Sequence, residues 1–257
     1  MNLELKNKRV LITGGSQGIG RAIAISFLDE GAKVILVARN KKKLKLTESE
    51  LKKKYGEDKV WSKVCDCTNA ESLAELHNSI NKEFGSINTV ISNIGDGRSV
   101  SDPIPDNIRW QQTWNSNFES ALLTARTFLP MLEDSRGVLL FVSSIAGLEA
   151  FGAPTDYSTA KTAIIALAKN MARKLAPNVR VNVVAPGNVY FRGGSWDEKI
   201  KQDKKRVEEI IKATVPMNRF ATPGEVADAV VFLCSDRAKF ITGSTLVIDG
   251  GQTVGLM

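Results

Sequence analysis

Short apolar runs rich in β-branched residues recur along the chain, separated by longer stretches with helical spacing. Lys8 to Thr13, Lys33 to Ala38, Val60 to Val64, Thr89 to Ser92, Val138 to Val142, Val179 to Ala185 and Leu246 to Ile248 read as strands. Most are apolar throughout rather than alternating, the pattern of strands buried on both faces of a parallel sheet. Between them, Gly20 to Glu30, Ala70 to Phe84, Trp110 to Leu132, Asp156 to Leu175 and Pro223 to Ser235 read as helices. Strand–helix alternation with right-handed crossovers predicts an α/β fold: a doubly wound parallel sheet of about seven strands with helices on both faces. No linker, repeat or low-complexity segment interrupts it, so residues 1–257 are assigned to a single domain.

The irregular stretch is Pro186 to Asn218. It opens with Pro-Gly, carries Gly193-Gly194-Ser195-Trp196, and then enters a charged helix. It follows the C-terminal end of a strand, the edge at which open α/β sheets bind ligands, so about 188–218 is expected to form a substrate lid.

Composition narrows the class. With 43% hydrophobic and 25% charged residues, the chain has the makeup of a core-forming globular protein. The N-terminus runs through charged residues straight into a strand, without the pattern of a signal peptide, and no apolar stretch reaches the roughly 18 residues of a membrane span. A cytoplasmic protein with no membrane association is expected. Three cysteines (Cys65, Cys67, Cys234) form no disulfide framework, and with His77 as the one histidine no metal site is expected. The net charge of +7 raises the question of nucleic acid. Its lysines, however, lie in runs at 41–43, 52–54 and 199–212, mixed with acidic residues on amphipathic helices and without aromatic platforms. No nucleic-acid partner is expected, although such faces can attract an acidic partner.

The first strand ends in Thr13-Gly14-Gly15-Ser16-Gln17-Gly18-Ile19-Gly20. Glycines here let the backbone turn tightly and bring a phosphate close to a helix N-terminus. The spacing is G-x-x-x-G-x-G, and its place in the first strand–loop–helix unit makes it a dinucleotide signal. At the end of the second strand, a cofactor with a free ribose 2′-hydroxyl would want Asp or Glu. Ala38 stands there instead, followed by Arg39, whose guanidinium can grip a 2′-phosphate. NADP(H) is therefore expected in preference to NAD(H). Further along, Tyr157 and Lys161 sit four apart on one helix and share a face. A neighbouring ammonium favours the phenolate, so the pair is a candidate general acid/base, with the tyrosine pKa expected to fall.

In order along the chain come TGGSQGIG at 13–20, Asp66 after the third strand, SNIG at 92–95, WNSNF at 114–118, VSSIAG at 142–147, YSTAK at 157–161, NVVAPG at 182–187 and ITGSTLVIDGG at 241–251. From about Lys8 to Gly251 the sequence thus resembles the short-chain dehydrogenases/reductases that use an Asn-Ser-Tyr-Lys tetrad, and is similar to the 3-oxoacyl-carrier-protein reductases among them. The resemblance implies a Rossmann-like oxidoreductase moving a hydride between nicotinamide and a small carbonyl or secondary alcohol. It assigns Ser144 to the substrate oxygen, Tyr157 to proton transfer, Lys161 to the nicotinamide ribose and Asn117 to a proton-relay water. Ser143 and Asn115 are the neighbouring alternatives; thirteen residues separate Ser144 from Tyr157 and favour it over Ser143.

The cofactor contacts implied are Gly14, Ser16, Gln17, Gly18, Ile19, Gly20, Arg39, Asp66 (at the adenine) and Cys67, Asn93, Ile94 and Gly95 on the adenosine side, Tyr157 and Lys161, and Pro186, Gly187 and Val189 beside the nicotinamide. Three positions depart from the family pattern: Ser92-Asn93-Ile94-Gly95 replaces NNAG, Phe191 stands where a threonine is usual, and Gln17 where NADP-preferring relatives often carry a cation. The amide bonding lost with that threonine is expected to pass to backbone groups or to Arg192. Substrate classes in view are an acyl thioester on an acidic carrier protein, or a sugar-like molecule suited to Asn188, Tyr190, Arg192, Trp196 and the polar loop 96–99. A non-catalytic NADP(H) sensor is the alternative of another class, which the complete tetrad argues against. The resemblance also implies a homodimer or homotetramer built on the two long helices, with the apolar tail 254–257 in a subunit contact.

Overall fold

The computed structural model describes residues 2–98, 100 and 102–256; Ser99 and Met257, named above, lie outside them. The chain runs β1 (Arg9–Thr13), α1 (Gly18–Asp29), β2 (Lys33–Ala38), α2 (Lys41–Tyr55), β3 (Val60–Val64), α3 (Ala70–Phe84) and β4 (Thr89–Ser92). It continues through α4 (Asn107–Trp114), α5 (Ser120–Ser135), β5 (Val138–Val142), α6 (Thr155–Leu175), β6 (Arg180–Pro186), α7 (Ser195–Gln202), α8 (Lys204–Thr214), α9 (Pro223–Cys234) and β7 (Thr245–Ile248).

The strands form one parallel sheet in the order β3-β2-β1-β4-β5-β6-β7. Because successive side chains on a strand point to opposite faces, the unbroken apolar runs serve two cores at once. Val10, Ile12, Val34 and Leu36 pack with Phe27 of α1, Leu44 of α2 and Val230 of α9. Leu11, Ile35, Val37 and Val90 pack on the other face with Leu76 of α3, Phe128 of α5 and Ile164 of α6. Each such side chain, fully buried, contributes roughly 1.5–3 kcal/mol. The strand order reverses direction between β1 and β4, and the crevice beyond the strand ends there is where ligands bind in sheets of this kind.

Two helical expectations change. The stretch read as one helix over 110–132 is α4 and α5 joined by a π-helical turn, Asn115–Glu119. The charged helix of the lid is broken at Asp203 (φ −154°, ψ 89°), whose carboxylate accepts the Arg206 N–H at 2.9 Å and starts α8 anew. A side chain that offers the backbone this alternative partner ends one helix by capping the next. The lid's two ends are clipped together by a single parallel bridge, Val189 to Ala221, through Tyr190 N–H to Ala221 O (3.0 Å) and Ala221 N–H to Asn188 O (2.9 Å).

Among the described residues no helix is long and apolar enough to cross a membrane, and no cluster of His, Cys, Asp and Glu could hold a metal. The cysteines are free and buried. His77 is half-buried, with its ring 5.9 Å from that of Phe128. The lysine runs are interleaved with carboxylates, as in Lys45–Glu48, Lys52–Glu48, Lys201–Asp197 and Lys204–Glu208. In the tail, Val254 and Leu256 are exposed, and the Val254 and Gly255 N–H groups donate to the Glu149 carboxylate.

Candidate active site

The glycine loop is shaped by its neighbours. Gly14 (φ +68°) and Gly18 (φ +54°) occupy the left-handed region that side chains disfavour. At Gly20 a Cβ would strike the Gly14 carbonyl oxygen, so the loop closes only on glycine. Asn93 ties it to the end of β4, donating from Nδ2 to Thr13 O at 3.0 Å. A Cβ on Gly14 would also meet Ile94 Cγ1 at 3.5 Å. The Ser16 carbonyl is held by the Thr47 hydroxyl (2.9 Å). No side chain caps the N-terminus of α1 and its first turn carries no acid, which leaves positively polarised N–H groups for an anion.

Arg39 lies exposed at the end of β2. Lys43, one turn into α2, donates to Gln17 Oε1 at 2.9 Å. That ammonium therefore stands beside Gln17, where the sequence lacks a cation. Sequence reasoning missed it because the contact spans the loop and the next helix. Burial raises the pKa of Asp66, but the Thr68 N–H and hydroxyl (3.0 and 2.7 Å), with Arg39 nearby, hold the carboxyl below its ordinary value. Cys67 is fully buried and its thiol pKa is raised, first by its hydrogen bond with Cys65 and then by burial. Its side chain is closed off from the surface.

The catalytic candidates converge on Gly95. A Cβ built there would lie 2.7 Å from Asn117 Oδ1 and 2.8 Å from Lys161 Nζ. Asn117 sits within the π turn, completely buried, and donates to Thr113 O (3.0 Å) and Asp96 O (3.2 Å) while accepting from Asp96 N–H (3.2 Å). One extra residue in the helical turn re-aims side chains, and such turns recur at functional sites. Asn115, by contrast, accepts from Gln111 at the helix surface. Lys161 Nζ donates to Val142 O at 3.1 Å and lies 5.6 Å from the Tyr157 ring centroid. Burial lowers its pKa to about 8.

Ser143 is turned inward, its hydroxyl on Lys161 O at 2.8 Å, whereas Ser144 faces the cleft and accepts the Ala146 N–H at 3.1 Å. The Tyr157 pKa is raised: burial is the main cause, the Ser144 hydroxyl works against it, and Asp96 adds to it. This reverses the expectation from the Tyr–Lys spacing. In this arrangement the loss of water around the phenol outweighs a lysine that points past it to a backbone carbonyl.

A cleft of about 510 Å³ is lined by Ser144, Tyr157 and Gly95, by Gln17 and Ile19, and by Pro186, Gly187 and Val189. Asn117 and Lys161 lie behind its wall, and Arg39 and Asp66 stand outside it at the β2 and β3 ends. The lid forms its roof: Phe191 lays its ring against Gly18, where a Cβ would come within 2.7 Å, and Trp196 packs edge-on against Phe220 at 5.2 Å. Arg192 stays exposed. A bidentate pair from Arg98 to Glu198 (3.2 and 2.9 Å) joins the loop after β4 to α7.

A sequence profile described as Enoyl-(Acyl carrier protein) reductase matches residues 14–253. The chain belongs to the short-chain dehydrogenase/reductase family. Within it the chain is an oxidoreductase, similar to YvrD of Bacillus subtilis (strain 168), named an uncharacterized oxidoreductase, at 36% identity over 98% of both chains. It is similar to the 3-oxoacyl-[acyl-carrier-protein] reductase of Aquifex aeolicus (31% identity, 98% of this chain and 100% of that one). Among solved structures, L-sorbose reductase from Gluconobacter frateurii, complexed with NADPH and L-sorbose, superposes with a TM-score of 0.92. It is 29% identical, and all of both chains is covered.

Proposed function

We propose that this protein is an NADP(H)-dependent reductase of a small polar ketone, with Tyr157 as the proton donor. The observation that carries the reading is the meeting of Asn117 and Lys161 at Gly95, behind the wall of a cleft that Tyr157 lines against Gly97 and that reaches the glycine loop. The residues present fit the dinucleotide: an uncapped, acid-free helix N-terminus for its pyrophosphate, Arg39 and Lys43 for a 2′-phosphate, and no carboxylate at Ala38 to repel one. The bound nicotinamide supplies the hydride.

The chain's own groups do the rest. The Ser144 hydroxyl holds the carbonyl oxygen in reach of the phenol. A phenol of ordinary pKa about 10 is already protonated through the neutral range, and burial moves the Tyr157 phenol further that way, so the form present is the one that can donate a proton to an oxygen that gains charge. Lys161, anchored on Val142 O, lies on the same helix face and is placed to bond the cofactor ribose. Asn117 holds the Asp96 backbone from both sides and so fixes the loop that closes over the ring; a Cβ on Gly97 would sit 3.4 Å from Tyr157. Phe191 and Trp196 give the cleft an aromatic wall on the lid side.

The test is NADPH oxidation with a ketone panel, wild type beside Tyr157→Phe. Loss of about 10²- to 10⁴-fold in kcat with unchanged NADPH affinity is expected. Full activity in the variant would refute the assignment of the proton donor.

A further inference from the structure

A polar group in the cleft that the mechanism leaves unused is Gln252. It sits just beyond β7, is only 8% exposed, and lines the cleft. Its Oε1 is buried with no hydrogen-bond partner. A buried acceptor left unmade costs roughly 1–3 kcal/mol, so such a group is normally matched by a donor.

The backbone holds Gln252 in place. Gly250 and Gly251 take consecutive left-handed conformations (φ +65° and +84°), and the Asp249 carboxylate accepts the Gly251 and Thr253 N–H groups at 2.9 and 2.6 Å. This turn aims the side chain at Gly187, where Oε1 would lie 3.2 Å from a Cβ. Asn188 follows directly. Its side-chain amide also lines the cleft and makes no hydrogen bond among the described residues. Across the cleft Trp196 offers a ring, with Lys199 Nζ 4.6 Å from its centroid.

We infer that Gln252 is a specificity-determining residue that accepts a hydrogen bond from a substrate hydroxyl, with Asn188 as its neighbour, and that the substrate is therefore a polyhydroxylated ketone or the matching polyol. This rests on the reductase reading of the site. An alkyl chain would leave Oε1 unpartnered, whereas a hydroxyl beside the reacting carbonyl supplies the missing donor. Sites built to bond a hydroxyl discriminate strongly against the analogue that lacks it.

The experiment compares wild type with Gln252→Leu and Gln252→Glu, the latter keeping an acceptor oxygen. NADPH-dependent reduction is measured on a ketohexose panel and on 2-hexanone, with NADPH affinity and melting temperature alongside. In Gln252→Leu, kcat/KM for the best ketohexose is expected to fall about 10- to 100-fold. Activity on 2-hexanone and the NADPH affinity should stay within about twofold, and Gln252→Glu should recover much of the loss. Equal loss on both substrates, weakened NADPH binding, or no loss on the sugar would each overturn the assignment. If wild type reduces no carbonyl, the reductase reading fails by itself. Gln252 is then judged by ketohexose stabilisation of the NADP-loaded protein: present in wild type and absent in Gln252→Leu supports it, absent in both overturns it.

Discussion

Gly95 is the point at which a single methyl group tests the whole arrangement. Its hydrogen faces two functional atoms, and the Cβ of Gly95→Ala would lie 2.7 Å from Asn117 Oδ1 and 2.8 Å from Lys161 Nζ. Ordinary contacts of carbon with oxygen or nitrogen need roughly 3.4 Å or more, so both atoms must retreat by well over half an ångström. Neither has a free path. Asn117 is fully buried and bonded to Thr113 and Asp96, and Lys161 is bonded to Val142 O. Overpacking of this kind costs about 1–3 kcal/mol, a fraction of the 5–15 kcal/mol typical of a native protein, so the variant is expected to fold. Displacing a positioning group by about 1 Å costs on the order of 10²-fold in rate. The expected result is a kcat at least about 10²-fold lower with a melting temperature only a few degrees lower. The assay is NADPH oxidation at saturating ketone, run beside a thermal melt. A variant with wild-type kcat would refute the claim that Gly95 exists to let Asn117 and Lys161 meet.

Two further outcomes follow from the same structure. Replacing Arg39 and Lys43 together by alanine should weaken NADPH binding by about 10- to 100-fold and leave NADH unchanged, since charge-assisted bonds to a phosphate are worth roughly 1.5–3 kcal/mol; fluorescence titration reads both, and equal losses would refute the phosphate role. Lys161 gives a pH signature: its folded pKa is about 8 against an ordinary 10.5, so the unfolded chain takes up this proton first as pH falls. Stability is then lost between about pH 10.5 and 8 and levels off below, by roughly 3 kcal/mol at about 1.4 kcal/mol per pH unit. In Lys161→Met the melting-temperature difference from wild type should be more favourable at pH 7 than at pH 10, and a pH-independent difference would refute the buried-ammonium account.

The frame was legible because its signal is local. Strands such as β2 and β5 carry continuous apolar runs buried on both faces, and their short length and β-branched content read as strand rather than helix. The tetrad candidates come from motif order; the structure sets Asn117 Oδ1 and Lys161 Nζ together at Gly95, with Lys161 Nζ 5.6 Å from the Tyr157 ring centroid. What escaped depends on contacts between distant segments. The π turn at Asn117 differs from an α-helix by one hydrogen-bond step that no residue type announces. Lys43 meets Gln17 only once α2 packs beside the glycine loop, and Gln252 meets Gly187 only when β7 lies against β6. The direction of the Tyr157 shift was misjudged for the same reason: spacing along a helix places the lysine, but burial sets the balance.

The bridge between Val189 and Ala221 has a consequence for how such a protein can change over generations. It pins both ends of the excursion over 190–220 to each other beside the sheet. For a loop with fixed ends, doubling its length adds only about 0.6 kcal/mol of closure entropy. Residues on the exposed faces of α7 and α8 can therefore be exchanged while β6 and β7 keep their register, whereas the buried Val207, Ile211 and Val215, and the Met217 N–H that donates to Gly250 O, tie the inner face to the frame. The segment that lines one side of the cleft is thus open to drift on its outward face, and recombination at Val189 and Ala221 offers a route to new cleft linings on an unaltered sheet.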